Sequence, residues 1–149
     1  MTRAELRDEL KKYKEASKRY YRSKRELEEL ETLLESVSVD YTKAKVKSSP
    51  EPDTLANSID KLARLHKQVL QEGNDAIEEM FNVRGLIDKS GNEIQRDILI
   101  RRYIDLDRGI KLKGWEIIAS ETHFSIGRLH QIERKALDSI IKRLHTITH

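Results

Sequence analysis

From Leu55 to Ile87, residues suited to a packed interface recur in alternating steps of four and three: Leu55, Ile59, Leu62, His66, Val69, Gly73, Ala76, Met80, Val83 and Ile87. That rhythm keeps one face of a helix turned toward a partner helix for about nine turns. A strand, whose faces alternate with every residue, would scatter the set over both faces, so the pattern demands helix on helix. His66 on this seam reads as a tolerated polar position of the interface. Ala63, Leu70 and Ile77 lie one position beyond Leu62, Val69 and Ala76. They broaden the apolar face past what a two-stranded contact buries, which implies a third partner.

The first partner is expected upstream. From Arg3 to about Glu35 there is no Gly or Pro, and Leu6, Leu10, Tyr13, Tyr20, Leu27, Leu30 and Leu34 form an imperfect stripe broken at Ser17 and Lys24. This predicts a helix about 50 Å long. Val37 to Asp53 is β-branched, then polar, and holds both prolines of the chain, so a turn is expected over 37–53, with Asp53 or Thr54 capping the next helix. Antiparallel pairing would set Leu34 near Leu55 and bring the basic block Lys11, Lys12, Lys14, Lys18, Arg19, Arg22, Lys24, Arg25 toward Glu72, Asp75, Glu78 and Glu79. Internal pairing of that block is expected in preference to DNA contact, by analogy with charge matching along coiled coils.

Composition supports this outline: with six Gly and 37% charged residues the chain resembles long helices more than sheets with many turns. The absence of cysteine excludes disulfides and thiolate zinc sites. No apolar stretch approaches the roughly 20 residues that span a bilayer, and MTRAELRDEL lacks the apolar core of a signal peptide, so a soluble, cytoplasmic protein with no membrane partner is expected.

Lys89-Ser90-Gly91-Asn92 ends the second helix, and Ser90 or Asn92 can cap a third that carries Ile94, Ile98, Leu99, Tyr103 and Ile104. After a polar connection, Asp105 to Gly114, Trp115 to Glu121 reads as a short helix. Phe124-Ser125 reads as turn and cap, and Ser125 to Leu144 as a final helix with Ile126, Leu129, Ile132, Ala136, Leu137, Ile140, Ile141 and Leu144 inward. Short helix, tight turn and longer helix form a helix-turn-helix. Ala119 is small where the two helices must approach, and Ile117 or Ile118 supplies the apolar contact. The outward positions of the last helix are then Gly127, Arg128, His130, Gln131, Arg134 and Lys135, none acidic, a face suited to a phosphate-lined major groove. Net charge agrees in its distribution: residues 1–89 carry 18 basic and 18 acidic side chains, residues 90–149 carry 11 and 8.

The run Ser125-Ile126-Gly127-Arg128-Leu129-His130-Gln131-Ile132-Glu133-Arg134-Lys135-Ala136-Leu137 resembles the recognition helix of bacterial sigma factor region four, whose pattern is S-x-x-R-V-R-Q-I-E-x-K-A-L. The wider layout, with Arg102-Tyr103-Ile104 and Trp115-Glu116-Ile117-Ile118-Ala119, is similar to phage late-transcription regulators of the ArpU and RinA type. The resemblance covers residues 94–144 and is only architectural over 1–89. It implies that Arg128 and Gln131 face DNA; Ser125 at the cap and Gly127, His130, Arg134 and Lys135 on the outward face are the further DNA-binding candidates. Sigma factors usually place a basic and an acidic residue where this chain has Ile126 and Gly127, and an Arg in place of His130, so a different operator is implied. Nothing matches the other sigma regions, and a complete sigma factor is not expected.

Competing chemistries fall away on residue types. Asp105, Asp107, Gly109 and Glu116 match positions one, three, five and twelve of a calcium loop, but position six is Ile110 where a Gly is needed, and Arg108, Lys111 and Lys113 oppose a cation. The five histidines lack ligand spacing, there is no Gly-rich phosphate loop, and no catalytic constellation is present, so neither an enzyme nor a cofactor is expected. The expectation is an all-α chain: a long N-terminal antiparallel helical hairpin (1–89) followed by a small sigma-region-four-like helix-turn-helix domain (90–149). It would bind double-stranded DNA as a homodimer or higher homo-oligomer, and its hairpin would also be free to contact RNA polymerase or another regulatory protein. The alternative is an interaction or antirepressor-like factor working through the hairpin alone.

Overall fold

The computed structural model describes residues 1–46 and 52–147. Among these there are five α-helices and no strand: α1 (Arg3–Val46), α2 (Pro52–Ile87), α3 (Glu93–Leu99), α4 (Trp115–Thr122) and α5 (Ile126–Ile147). The fold is all-α, with a long N-terminal helix pair and a C-terminal helix-turn-helix. No helix is long and apolar enough to cross a membrane among the described residues.

Helix α1 runs 11 residues past the expected end at Glu35. β-branched Val37 and Val39 cost only a few tenths of a kcal/mol each in a helix, too little to stop one that is already nucleated. Helix α2 starts at Pro52, so Asp53 and Thr54 lie inside its first turn and are not its cap. Proline at the first helical position loses nothing, because its missing N–H would have had no partner there. The rest of the expected turn, residues 47–51, lies outside the described residues.

Packing divides the chain into two compact units, Arg19–Ala76 and Met1–Lys18 with Ile77–His149. The division cuts across the expected 1–89 and 90–149 partition. In the first unit α1 and α2 pack antiparallel along the expected seam: Val69, Gly73 and Ala76 are buried and Leu55, Ile59, Leu62 and His66 half-buried. Ser23, not the exposed Lys24, occupies the weak point of the α1 stripe and is 3% exposed. A Cβ on Gly73 would stand 3.3 Å from the Ser23 Cβ, so two small residues set how closely the helices approach. With Ser23 beside Gly73 and Glu31 3.4 Å from His66, residue 34 falls opposite residues 62 to 63 and not opposite Leu55. The expected register failed because α1 is longer than its stripe. Leu65 and Leu70 stay exposed on this unit, as does Ala63.

The second unit has one main core. Leu6, Leu10 and Tyr13 of α1 meet Val83 and Ile87 of α2, Leu99, Tyr103, and Ala136, Leu137 and Ile140 of α5. The start of α1, expected to belong wholly to the hairpin, is thus a wall of the helix-turn-helix domain. Burying Leu6 and Leu10 completely contributes about 1.5–3 kcal/mol each. Asn92 caps α3, its side chain accepting from the Gln95 N–H at 2.9 Å. Beyond Leu99 the chain widens into a π-helical turn, Ile100–Ile104, closed by the Asp105 N–H donating to the Ile100 carbonyl at 2.8 Å. Ile98, Leu99 and Tyr103 point inward as expected, whereas Ile94 is 55% exposed on the outer face of α3.

Candidate DNA-binding surface

A smaller core joins α4 to α5: Ile98, Ile118, Leu129 and Ile132 are buried together, with Trp115, Ala119 and Phe124 packed against them. Of the two isoleucines expected to serve here, Ile118 is fully buried and Ile117 stands exposed. Ile126, expected inward, is also exposed, because it precedes the first full turn of the inward stripe. Between the helices, His123 takes the left-handed conformation (φ 63) and ends α4, its N–H donating to the Ala119 carbonyl. That conformation costs a non-glycine residue about 1–2 kcal/mol, and it ends α4 three residues before α5 begins. Ser125 then caps α5, its Oγ accepting from the Arg128 N–H at 3.1 Å.

This turn presents Gly127, Arg128, His130, Gln131, Arg134 and Lys135 on one exposed face of α5. Arg128 Nη1 donates to Gln131 Oε1 at 3.4 Å, a weak link that aligns two neighbouring side chains. The His130 ring lies 5.0 Å from the Trp115 ring, and the Arg102 guanidinium sits 4.8 Å from that same indole. The Arg102 Nε is buried with no hydrogen-bond partner; what it has instead are the Trp115 and Tyr103 rings. His130 is therefore in aromatic contact while the residue remains exposed.

Glu133, in the middle of the sequence run that carries the resemblance, turns the other way. It is 4% exposed and accepts from Arg7 Nη2 at 2.8 Å, Arg7 Nε at 3.1 Å and the Tyr103 hydroxyl at 2.8 Å. Burial, then the Glu133 charge, holds the Tyr103 phenol well above its ordinary pKa. Five residues on, Asp138 accepts from Arg3 Nε and Nη2, both at 2.8 Å. That bidentate pairing lowers the Asp138 pKa and raises that of Arg3. Sequence reasoning missed the four charged side chains, Arg3, Arg7, Glu133 and Asp138. Glu133 had a signal, since it is four residues from both Leu129 and Leu137 on the inward stripe; Arg3 and Arg7 had none.

Residues 105–114 form a small hairpin-like loop in which the Asp107 N–H donates to the Lys111 carbonyl at 2.8 Å, and Arg108 and Gly109 both have positive φ. Its base is anchored by buried Lys113, 2.7 Å from Asp105 and 3.0 Å from Glu121. Burial alone would lower the Lys113 pKa, but the hydrogen bonds to Asp105 and Glu121 raise it, and the cation persists. Among the described residues no group of three or more His, Asp or Glu side chains is placed to hold a metal.

Of the basic block in α1, Lys12 pairs with Glu9 at 2.8 Å, and Lys14 and Lys18 approach Glu15 at 3.7 and 3.9 Å. Glu79 adds a longer-range attraction on Lys12. Compared with protein-family models, curated proteins and solved structures, the chain matches none.

Proposed function

We propose that this protein is a site-selective DNA-binding transcriptional regulator, of the kind phages and prophages use to activate late genes, with α5 as its recognition helix. The observation that carries the reading is the exposed, non-acidic face running from Gly127 to Lys135 on a capped helix seated against α4. Those residues span about 12 Å along the helix, close to the width of the major groove. Gly127 has nothing within 4 Å of where a Cβ would sit, so duplex can approach the α5 backbone there. Arg128 suits bidentate contact with guanine and Gln131 with adenine, His130 can donate to a base edge or phosphate, and Arg134 and Lys135 suit phosphates. The Ser125 cap leaves backbone N–H groups of the first turn directed at the ligand.

One helix-turn-helix seldom binds tightly alone. A second copy reading another half-site about 34 Å away supplies the missing affinity, with the exposed Ala63 and Leu70 of the hairpin as its contact, and the hairpin also offers a surface to RNA polymerase or a second regulator. The other reading, a partner-capturing factor with no DNA role, draws on the same exposed Ala63 and Leu70. Gel shift of the purified protein on fragments of its own genome at two salt concentrations separates the two. Selective, salt-sensitive binding that Arg128→Ala with Gln131→Ala abolishes, at unchanged helicity, is expected. A folded protein with no selective binding would move the function to the hairpin and its partner.

A further inference from the structure

Arg3, Gln131, Arg134, Lys135 and Asp138 line one open concavity beside the recognition face. Gln131, Arg134, Lys135 and Asp138 follow the helical spacing of a single stripe on α5, and Arg3 is brought to them from the first turn of α1. Three cations thus surround the hollow. Its one carboxylate is occupied by Arg3 through both oxygens, and Asp138 stays ionised but compensated. The pairing uses Arg3 Nε and Nη2 and leaves Nη1 with two further N–H donors.

Resting on the DNA-binding reading above, we infer that this concavity is a seat for a phosphate of the DNA backbone, and that Arg3 is one of its ligands. Arg134 and Lys135 lie about 10 Å along α5 from Arg128. When Arg128 meets base edges, they and Arg3 reach the groove wall, where the phosphates are. The start of α1 then has a task in DNA binding that neither its sequence position nor the helix-turn-helix suggests: it supplies a cation and masks the charge of Asp138.

The test uses the full chain, a short labelled duplex and fluorescence anisotropy, with thermal melts to confirm folding. Arg3→Ala is expected to weaken duplex binding and to make the salt dependence shallower by one phosphate contact. The affinity ratio of wild type to variant should then shrink about 3.5-fold between 50 and 200 mM salt. Asp138→Asn, which removes the acid and frees Arg3, is expected to bind more tightly than wild type. If wild type binds duplex and Arg3→Ala matches it in affinity and slope, the seat is refuted while the regulator reading stands. Equal weakening by both variants with an unchanged slope would make the pair a structural clamp and refute the seat as well. Stabilisation of wild type, but not Arg3→Ala, by inorganic phosphate with no effect of Arg3→Ala on duplex affinity would reassign the hollow to a free phosphate. A folded wild type that binds no duplex at low salt overturns both proposals.

Discussion

Glu133→Gln preserves volume and removes one charge from the centre of the helix-turn-helix unit. The carboxylate accepts three hydrogen bonds, and the Tyr103 hydroxyl that supplies one of them belongs to a residue 1% exposed, so it cannot turn to water when its partner weakens. A hydrogen bond from a buried hydroxyl to a carboxylate is worth about 1.5–3 kcal/mol. The Arg7 side chain is 35% exposed and regains solvent, so its share is held to about 1 kcal/mol or less. The expected loss is about 2–4 kcal/mol, or about 6–12 °C in Tm at about 3 °C per kcal/mol for a chain of this size. Urea and thermal unfolding followed by far-UV circular dichroism measure it, with Tyr103→Phe and the double variant completing a cycle. The two substitutions should couple by at least about 0.5 kcal/mol, since they remove the same bond. A loss under about 1 kcal/mol, or strict additivity, would show that the network does not hold α5 against α1 and Tyr103.

Because the Tyr103 pKa is raised by folding, the stability it contributes is complete below the ordinary tyrosine value near 10. It declines above that pH, where the unfolded chain releases a proton that the folded one keeps. Wild type should therefore lose up to about 1.4 kcal/mol per pH unit above pH 10 relative to Tyr103→Phe, and parallel pH curves for the two would contradict this. In the hairpin unit, Gly73→Leu should destabilise by about 1–3 kcal/mol in urea unfolding, because its side chain starts 3.3 Å from the Ser23 Cβ. Partial recovery on adding Ser23→Gly is expected, and a neutral Gly73→Leu would mean the helices do not approach as closely as described.

The legible parts of the fold were those written in local periodicity. Leu55 to Ile87 repeats its seam within every seven residues, and each seam position of the hairpin unit is buried or half-buried. Asn92 and Ser125 cap the helices that follow them, because a cap needs only a side-chain oxygen and an N–H three residues away. The outward face of α5 followed from the inward stripe by the same arithmetic. Errors came where a local preference was weak against cooperativity, as at Val37 and Val39, or where an apolar residue was assigned inward on spacing alone, as at Ile94 and Ile126.

By itself, then, the sequence determined the helices, that two of them pair, and the side of α5 that faces out, since all three are written in residue spacings a few positions long, even though the pairing itself joins residues as far apart as Ser23 and Gly73. Only the tertiary structure decided that α1 opens as part of the helix-turn-helix unit. Arg7 reaches Glu133 across 126 residues and Arg3 reaches Asp138 across 135. Each of the four, read locally, is an ordinary charged residue on a helix. Which of them a fold buries, pairs or aims at a ligand depends on how the apolar faces of distant helices close on one another, a choice made by the shared core of Leu6, Leu10, Leu137 and Ile140.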